Sequence, residues 1–129
     1  MSVRHFTSRE AKFYQYADRK IFVGDVLDSS NSEAMSVGYY WNKVEGEGNQ
    51  WIVTYDEVLI VTKGALTVRS TEGAKTARAG EILFLPKGTE VVYEAAADDT
   101  EAVYVTYPHW MEAQKNSEHV DLLDAYSPI

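Results

Sequence analysis

The sequence predicts an all-β domain, a sandwich or barrel built from short strands. Three observations lead there. From Ile21 onward the apolar segments are short and rich in Val, Ile, Tyr and Thr, the residues that suit a pleated, half-buried surface. Between them stand Gly, Asn, Asp and Pro in the places that turns demand. The chain has 129 residues, 45% hydrophobic and 25% charged, which suits one globular core and leaves too little for two.

Taken in order, residues 1–20 form a lead-in in which SREAKFYQYADRK reads as a short helix or an extended segment. Strands are expected over 21–27, 35–44, 50–55, 58–62, 65–70, 75–77, 82–86, 90–95 and 102–107, roughly nine in all. The connections EGEGN (45–49), TEGA (71–74), RAGE (78–81), PKGT (86–89) and AADDT (96–100) are turns or loops. Residues 21–110 therefore form the barrel and 111–129 an acidic tail, weakly amphipathic around Val120 to Leu123 and closed by a Ser-Pro pair. The tail either packs on the barrel or a partner subunit or frays, and fraying is the commoner fate of a terminus.

Charge and composition exclude several classes of partner. Twenty acidic residues against twelve basic ones leave a net charge of −8, which repels both a phosphate backbone and an anionic membrane surface. The first twenty residues lack the apolar run and cleavage site of a secretion signal, and no segment reaches the ~20 apolar residues of a membrane span. A cytoplasmic protein is expected. With no cysteine, there can be no disulfide, thiolate metal site or cysteine nucleophile.

Spacing makes the reading more specific. Six residues separate Glu57 from Gly64; five separate Gly80 from Pro86, and one more separates Pro86 from Gly88. These intervals resemble the two motifs of the cupin superfamily, which implies a single-domain jelly-roll barrel, a double-stranded β-helix, with its site in the barrel mouth. The resemblance also implies where a divalent metal would be held: by two histidines before the glutamate and one after the second motif. Here those positions carry Trp51 and Val53 (Gln50 and Ile52 under the longer spacing) and Val91, so that Glu57 alone remains. One carboxylate does not supply the three or so protein ligands of a catalytic transition metal, and the expectation is no metal and no other cofactor.

Within the superfamily, WIVTYDE (51–57), GDVL (24–27), AGEILFLPKGT (79–89) and YVTYPHW (104–110) resemble the cupin domain of the EutQ ethanolamine-utilisation family. The resemblance covers roughly residues 21–110, and the N-terminal region of full-length members is expected to be missing. It implies a link to ethanolamine catabolism and its microcompartments, and an acetate kinase activity by resemblance only.

Alternation along the chain puts Trp51, Val53, Tyr55, Glu57, Leu59 and Val61 on one face, and the cupin register adds Ile82, Phe84, Val91, Tyr93 and Ala95 to the interior. An aromatic cavity with one acid is the usual picture of a small-molecule site. Burial without a cation raises a carboxyl pKa, so Glu57, helped by Tyr55 and Tyr93, suits general acid–base work: isomerisation, elimination or hydration of a small oxygenated metabolite. Glu57 is equally readable as a structural acid satisfied by its neighbours. A non-catalytic binding or accessory module of a catabolic pathway is then the alternative function.

Substrate contacts are expected from Trp51, Val53, Phe84, Val91 and Tyr104, from Trp41, and from Tyr39 or Tyr40. His109 could reach the barrel mouth, although a histidine beside Trp110 at a strand end more often packs or forms an interface. EGEGNQ (45–50) lacks the GxxxxGK[ST] pattern and is not a phosphate loop. Tyr104, Tyr107 and Trp110 as a set read as core or dimer contacts, and a homodimer is expected.

Overall fold

The computed structural model describes residues 2–129. Its strands are β1 (Lys12–Tyr16), β2 (Ile21–Leu27), β3 (Ser36–Asn42), β4 (Gly48–Ile52), β5 (Asp56–Lys63), β6 (Ala65–Ser70), β7 (Gly73–Arg78), β8 (Ile82–Leu85), β9 (Glu90–Ala95), β10 (Thr100–Tyr107) and β11 (Tyr126–Pro128), with one short helix, α1 (Trp110–Lys115). They form a seven-stranded sheet, β11-β1-β2-β3-β10-β5-β8, facing a four-stranded sheet, β4-β9-β6-β7. Every pairing is antiparallel. This is the all-β, double-sheet barrel that the sequence predicts. No helix among the described residues is long and apolar enough to cross a membrane.

The long strands bury alternate residues, as a sheet with one face on a core must. Trp51, Val53, Tyr55, Glu57, Leu59 and Val61 are all buried, although the chain changes sheets among them. The corner at residues 53–55 is pinned by the Val53 and Gly88 amides, which bond the Thr89 carbonyl at 3.1 Å and the Val53 carbonyl at 2.7 Å. The glycine six residues beyond Glu57 has a structural reason. Gly64 turns from β5 into β6 at φ +74°, and a Cβ there would lie 2.6 Å from Thr100 Oγ1.

Two inward assignments are corrected. Ile82 and Phe84 are 62% and 60% exposed, so Phe84 is not a wall of the site. Leu83 and Leu85 face the core instead, because β8 pairs with β5 in the register Leu59↔Leu83 and Glu57↔Leu85. On β3 the inward residue is Tyr40, 3% exposed, and not Tyr39 or Trp41. Trp41 lies on the outer face against Phe13, with ring centroids 4.4 Å apart, and under the Lys43 ammonium.

Both terminal regions contribute strands to the large sheet. The lead-in becomes a 3-10 turn at Ser8–Glu10, capped by the Thr7 side chain, and then β1, which pairs with β2. Beyond α1, a 3-10 helix over Val120–Ala125 delivers β11 to the free side of β1, with Tyr16 opposite Tyr126. Leu122, Leu123 and Tyr126 pack on the core, and that apolar burial is what fixes the tail.

Candidate functional site

The two sheets enclose a cavity of about 40 Å³. A water needs roughly 10–15 Å³ by such a measure, so the space admits a few waters or a molecule of a few heavy atoms. Trp51, Tyr55 and Glu57 line it from the β4–β5 corner and Tyr93 from β9. Tyr40 and Tyr104 close it from β3 and β10, Val23 and Leu59 form an apolar floor, and Asn49 stands at one side. Trp110 from α1 and Tyr126 from β11 complete the wall.

Glu57 is 6% exposed. Tyr93 donates its hydroxyl to Glu57 Oε1 at 2.6 Å. Burial outweighs that hydrogen bond and pushes the carboxyl up to about 7. Glu57 Oε2 takes no hydrogen bond from the described residues, yet no buried side-chain oxygen among them goes without a partner. Oε2 is therefore the oxygen that reaches accessible space.

The phenols around it are held neutral. Burial, then the neighbouring Glu57 carboxylate, raises Tyr55 and Tyr93 well above the ordinary phenol value. Trp51 Nε1 donates to the Tyr55 hydroxyl at 2.7 Å, fixing both rings. Opposite, Tyr40 donates to Asn49 Oδ1 at 3.2 Å and Asn49 Nδ2 donates to the Tyr126 hydroxyl at 3.2 Å. Trp110 and Tyr126 each meet Trp51 edge-on, with centroids 6.0 and 5.6 Å apart, so the C-terminal segment caps the mouth.

Of the residues singled out from sequence, Glu57, Tyr55, Tyr93, Trp51 and Tyr104 come together at this cavity. Val53 and Val91 are buried on the inward side but do not line it. Tyr39, Trp41 and Phe84 face outward. His109 stands outside the barrel, its Nε2 2.7 Å from the Ser32 carbonyl, because the chain turns away into α1 immediately after it.

Sequence reasoning missed Asp25. Tyr104 donates its hydroxyl to Asp25 Oδ1, and Trp110 Nε1 donates to the same oxygen at 2.8 Å. Burial raises this carboxyl to about 6, against the pull of those two donors. Alternation on β2 carried a signal: an acid two residues beyond the inward Val23 is as anomalous as Glu57 on its own strand.

The donor set does not fit the divalent metal of metal-binding cupins. Glu57 Oε1 is taken by Tyr93, the other oxygen donors are phenols and one amide, and no histidine lines the cavity. No group of three or more His, Cys, Asp or Glu side chains converges among the described residues.

A family model described as ethanolamine utilisation protein EutQ matches residues 6–112. The chain belongs to the EutQ family. It is 28% identical over 85 residues to a protein named acetate kinase EutQ from Escherichia coli (strain K12), a match covering 65% of this chain and 35% of that protein. The namesake from Clostridioides difficile is 34% identical over 58 residues, which is 45% of this chain and 36% of that one. The chain thus spans about a third of the curated family members it matches. A solved Clostridium difficile EutQ structure superposes with a TM-score of 0.68 at 28% identity, covering 79% of this chain and 72% of that one. KdgF from Halomonas sp., at 16% identity and a TM-score of 0.67, shares the fold. The EutQ-like cupin reading made from sequence therefore stands.

Proposed function

We propose that the barrel binds a small, uncharged, oxygenated molecule and moves a proton on it, with Glu57 as general acid or base. The observation that carries this reading is the state of Glu57. It is a buried carboxyl balanced near neutrality, tied to Tyr93 through one oxygen and open through the other. A group that can give or take a proton at working pH, in a site whose other polar members are neutral phenols, suits isomerisation, elimination or hydration. Tyr55 and Tyr93 orient the substrate oxygen, and Trp51 packs on its apolar part.

An uncharged ligand follows from the lining, where no Lys or Arg among the described residues stands to offset a buried anion. The same lack of cations argues against transfer of a phosphoryl group inside the barrel, whatever activity the longer family members carry. The test is a thermal-shift screen of neutral aldehydes, ketones and polyols of up to about six heavy atoms, each followed by NMR for conversion. A ligand that stabilises both wild type and Glu57→Gln, but is converted only by wild type, is the expected result. Conversion at equal rates by both would remove Glu57 from the chemistry; ligands without conversion would favour the accessory-module reading.

The chain also acts as a homodimer in this reading, joined through the outer face of β5 and β8. There Val58 pairs with Phe84 and Ile60 with Ile82, an apolar row at a sheet edge. The row carries no charge in a protein of net charge −8, so two copies can meet there without opposing carboxylates.

A further inference from the structure

We propose that Asp25 and Tyr104 form a second proton-handling pair, through which the barrel exchanges protons with solvent by way of a cleft that Glu57 does not border. The proposal rests on the proton-transfer reading of the cavity.

Its basis is the cross-strand row of β2, β3 and β10. Asp25 is opposite Gly38, and Gly38 is opposite Tyr104. Side chains two strands apart do not ordinarily touch. Here they do because the strand between them has no side chain: a Cβ on Gly38 would fall inside contact with the Tyr104 hydroxyl and the Gly24 carbonyl oxygen. Tyr104 therefore reaches across β3 to Asp25 Oδ1. Its ring lines the inner cavity, while Asp25 borders a different cleft, of about 90 Å³, that opens between β1 and α1.

Charged and apolar side chains both border that cleft. Lys12 and Tyr14 border it from β1, Asp28 and Ser29 from the loop after β2, and Met111 and Glu112 from α1. Asp25 Oδ2 takes no hydrogen bond from the described residues and is not fully buried. One oxygen of Asp25 thus touches a phenol of the inner cavity and the other is left to the cleft. Asp28 and Glu112 add negative charge that favours the protonated form.

The step is balanced as follows. A substrate hydroxyl gives its proton to the Tyr104 oxygen as the Tyr104 proton passes to the Asp25 carboxylate. Glu57, protonated, gives its proton to a substrate carbon. The substrate loses one proton from oxygen and gains one at carbon, a tautomerisation. Asp25 then releases its proton to water in the cleft, and Glu57 recovers one. Tyr104 would be the catalytic residue of this pair and Asp25 its positioning partner.

The test needs no substrate. Exchange of buried tyrosine hydroxyls with solvent is read from the isotope shift of the ring Cζ carbon in mixed light and heavy water. The Asp25 carboxyl is titrated by carbon NMR in the same samples. Exchange at Tyr104 is expected to be at least tenfold faster than at Tyr93, to follow the Asp25 titration, and to slow at least tenfold in Asp25→Asn, with Tyr93 changed less than twofold. Exchange at Tyr104 as slow as at Tyr93, or independent of the Asp25 titration, would overturn the proposal and leave Asp25 as an anchor for Trp110. If Asp25→Asn does not fold, the wild-type pH series decides alone. Since this measurement does not read Glu57, failure here leaves the Glu57 reading untouched, and failure of Glu57→Gln to alter conversion leaves this result standing.

Discussion

At the residue scale the cavity is governed by carboxyls that folding prefers neutral. Folding raises the Glu57 pKa from an ordinary 4.5 to about 7, so its contribution to stability is full below about pH 4.5 and is lost as the pH rises through about 7. At ~1.4 kcal/mol per pKa unit this amounts to roughly 3 kcal/mol. Asp25, raised from 3.8 to about 6, acts in the same direction over a lower window. Wild type should therefore lose stability to urea between pH 5 and pH 8, and Glu57→Gln should lose roughly 2 kcal/mol less over that interval. Equal losses in the two proteins would mean that Glu57 titrates normally. Glu57 was legible because it interrupts a long apolar alternation in YDEVLIV, where a charged residue is conspicuous. Asp25 was not, since GDVL looks like a strand approaching a turn, and only Tyr104 and Trp110, 79 and 85 residues away, give its carboxylate a purpose.

At the element scale the barrel depends on one strand having a gap in its row of side chains. Gly38→Ala on β3 should destabilise the protein by about 3 kcal/mol in chemical denaturation, because the new methyl has backbone on one side and a buried phenol on the other. It should also abolish the contact between Tyr104 and Asp25, visible as a higher pH midpoint for Asp25, which loses a donor that holds it down. A neutral substitution would mean that β3 and β10 part more easily than their pairing suggests. The strands themselves were largely readable from turns and β-formers. Facing direction was readable only where polar residues mark one face. The run ILFL in β8 and YYW in β3 contain no polar residue to set the phase, so the outward side of Phe84 and Trp41, and the choice of Tyr40 over Tyr39, are not readable locally. Pairing with β5 and β10 decides the phase, and that pairing is a long-range fact.

At the scale of the whole molecule the ends close the structure. Tyr126 reaches the cavity because β11 pairs with β1, a contact between opposite ends of the chain that no local pattern announces. Of the two fates open to the tail, packing is the one the structure shows, and Tyr126 makes it a wall of the site. Quaternary structure is open to a direct measurement: sedimentation equilibrium should find a dimer at micromolar concentration. The double variant Ile82→Lys, Phe84→Lys should be a folded monomer, since lysines in that row would oppose each other across the two-fold axis. A wild-type monomer at a hundred micromolar would remove the interface. The capping of Trp51 by Trp110 has a last consequence. Two indoles with centroids 6.0 Å apart and planes 68° apart are close enough to couple optically, and one of them belongs to the segment that covers the mouth. The pair is a built-in chromophore whose near-ultraviolet circular dichroism reports on the position of the cap, so entry of a colourless, unlabelled molecule into the barrel can be followed by light alone.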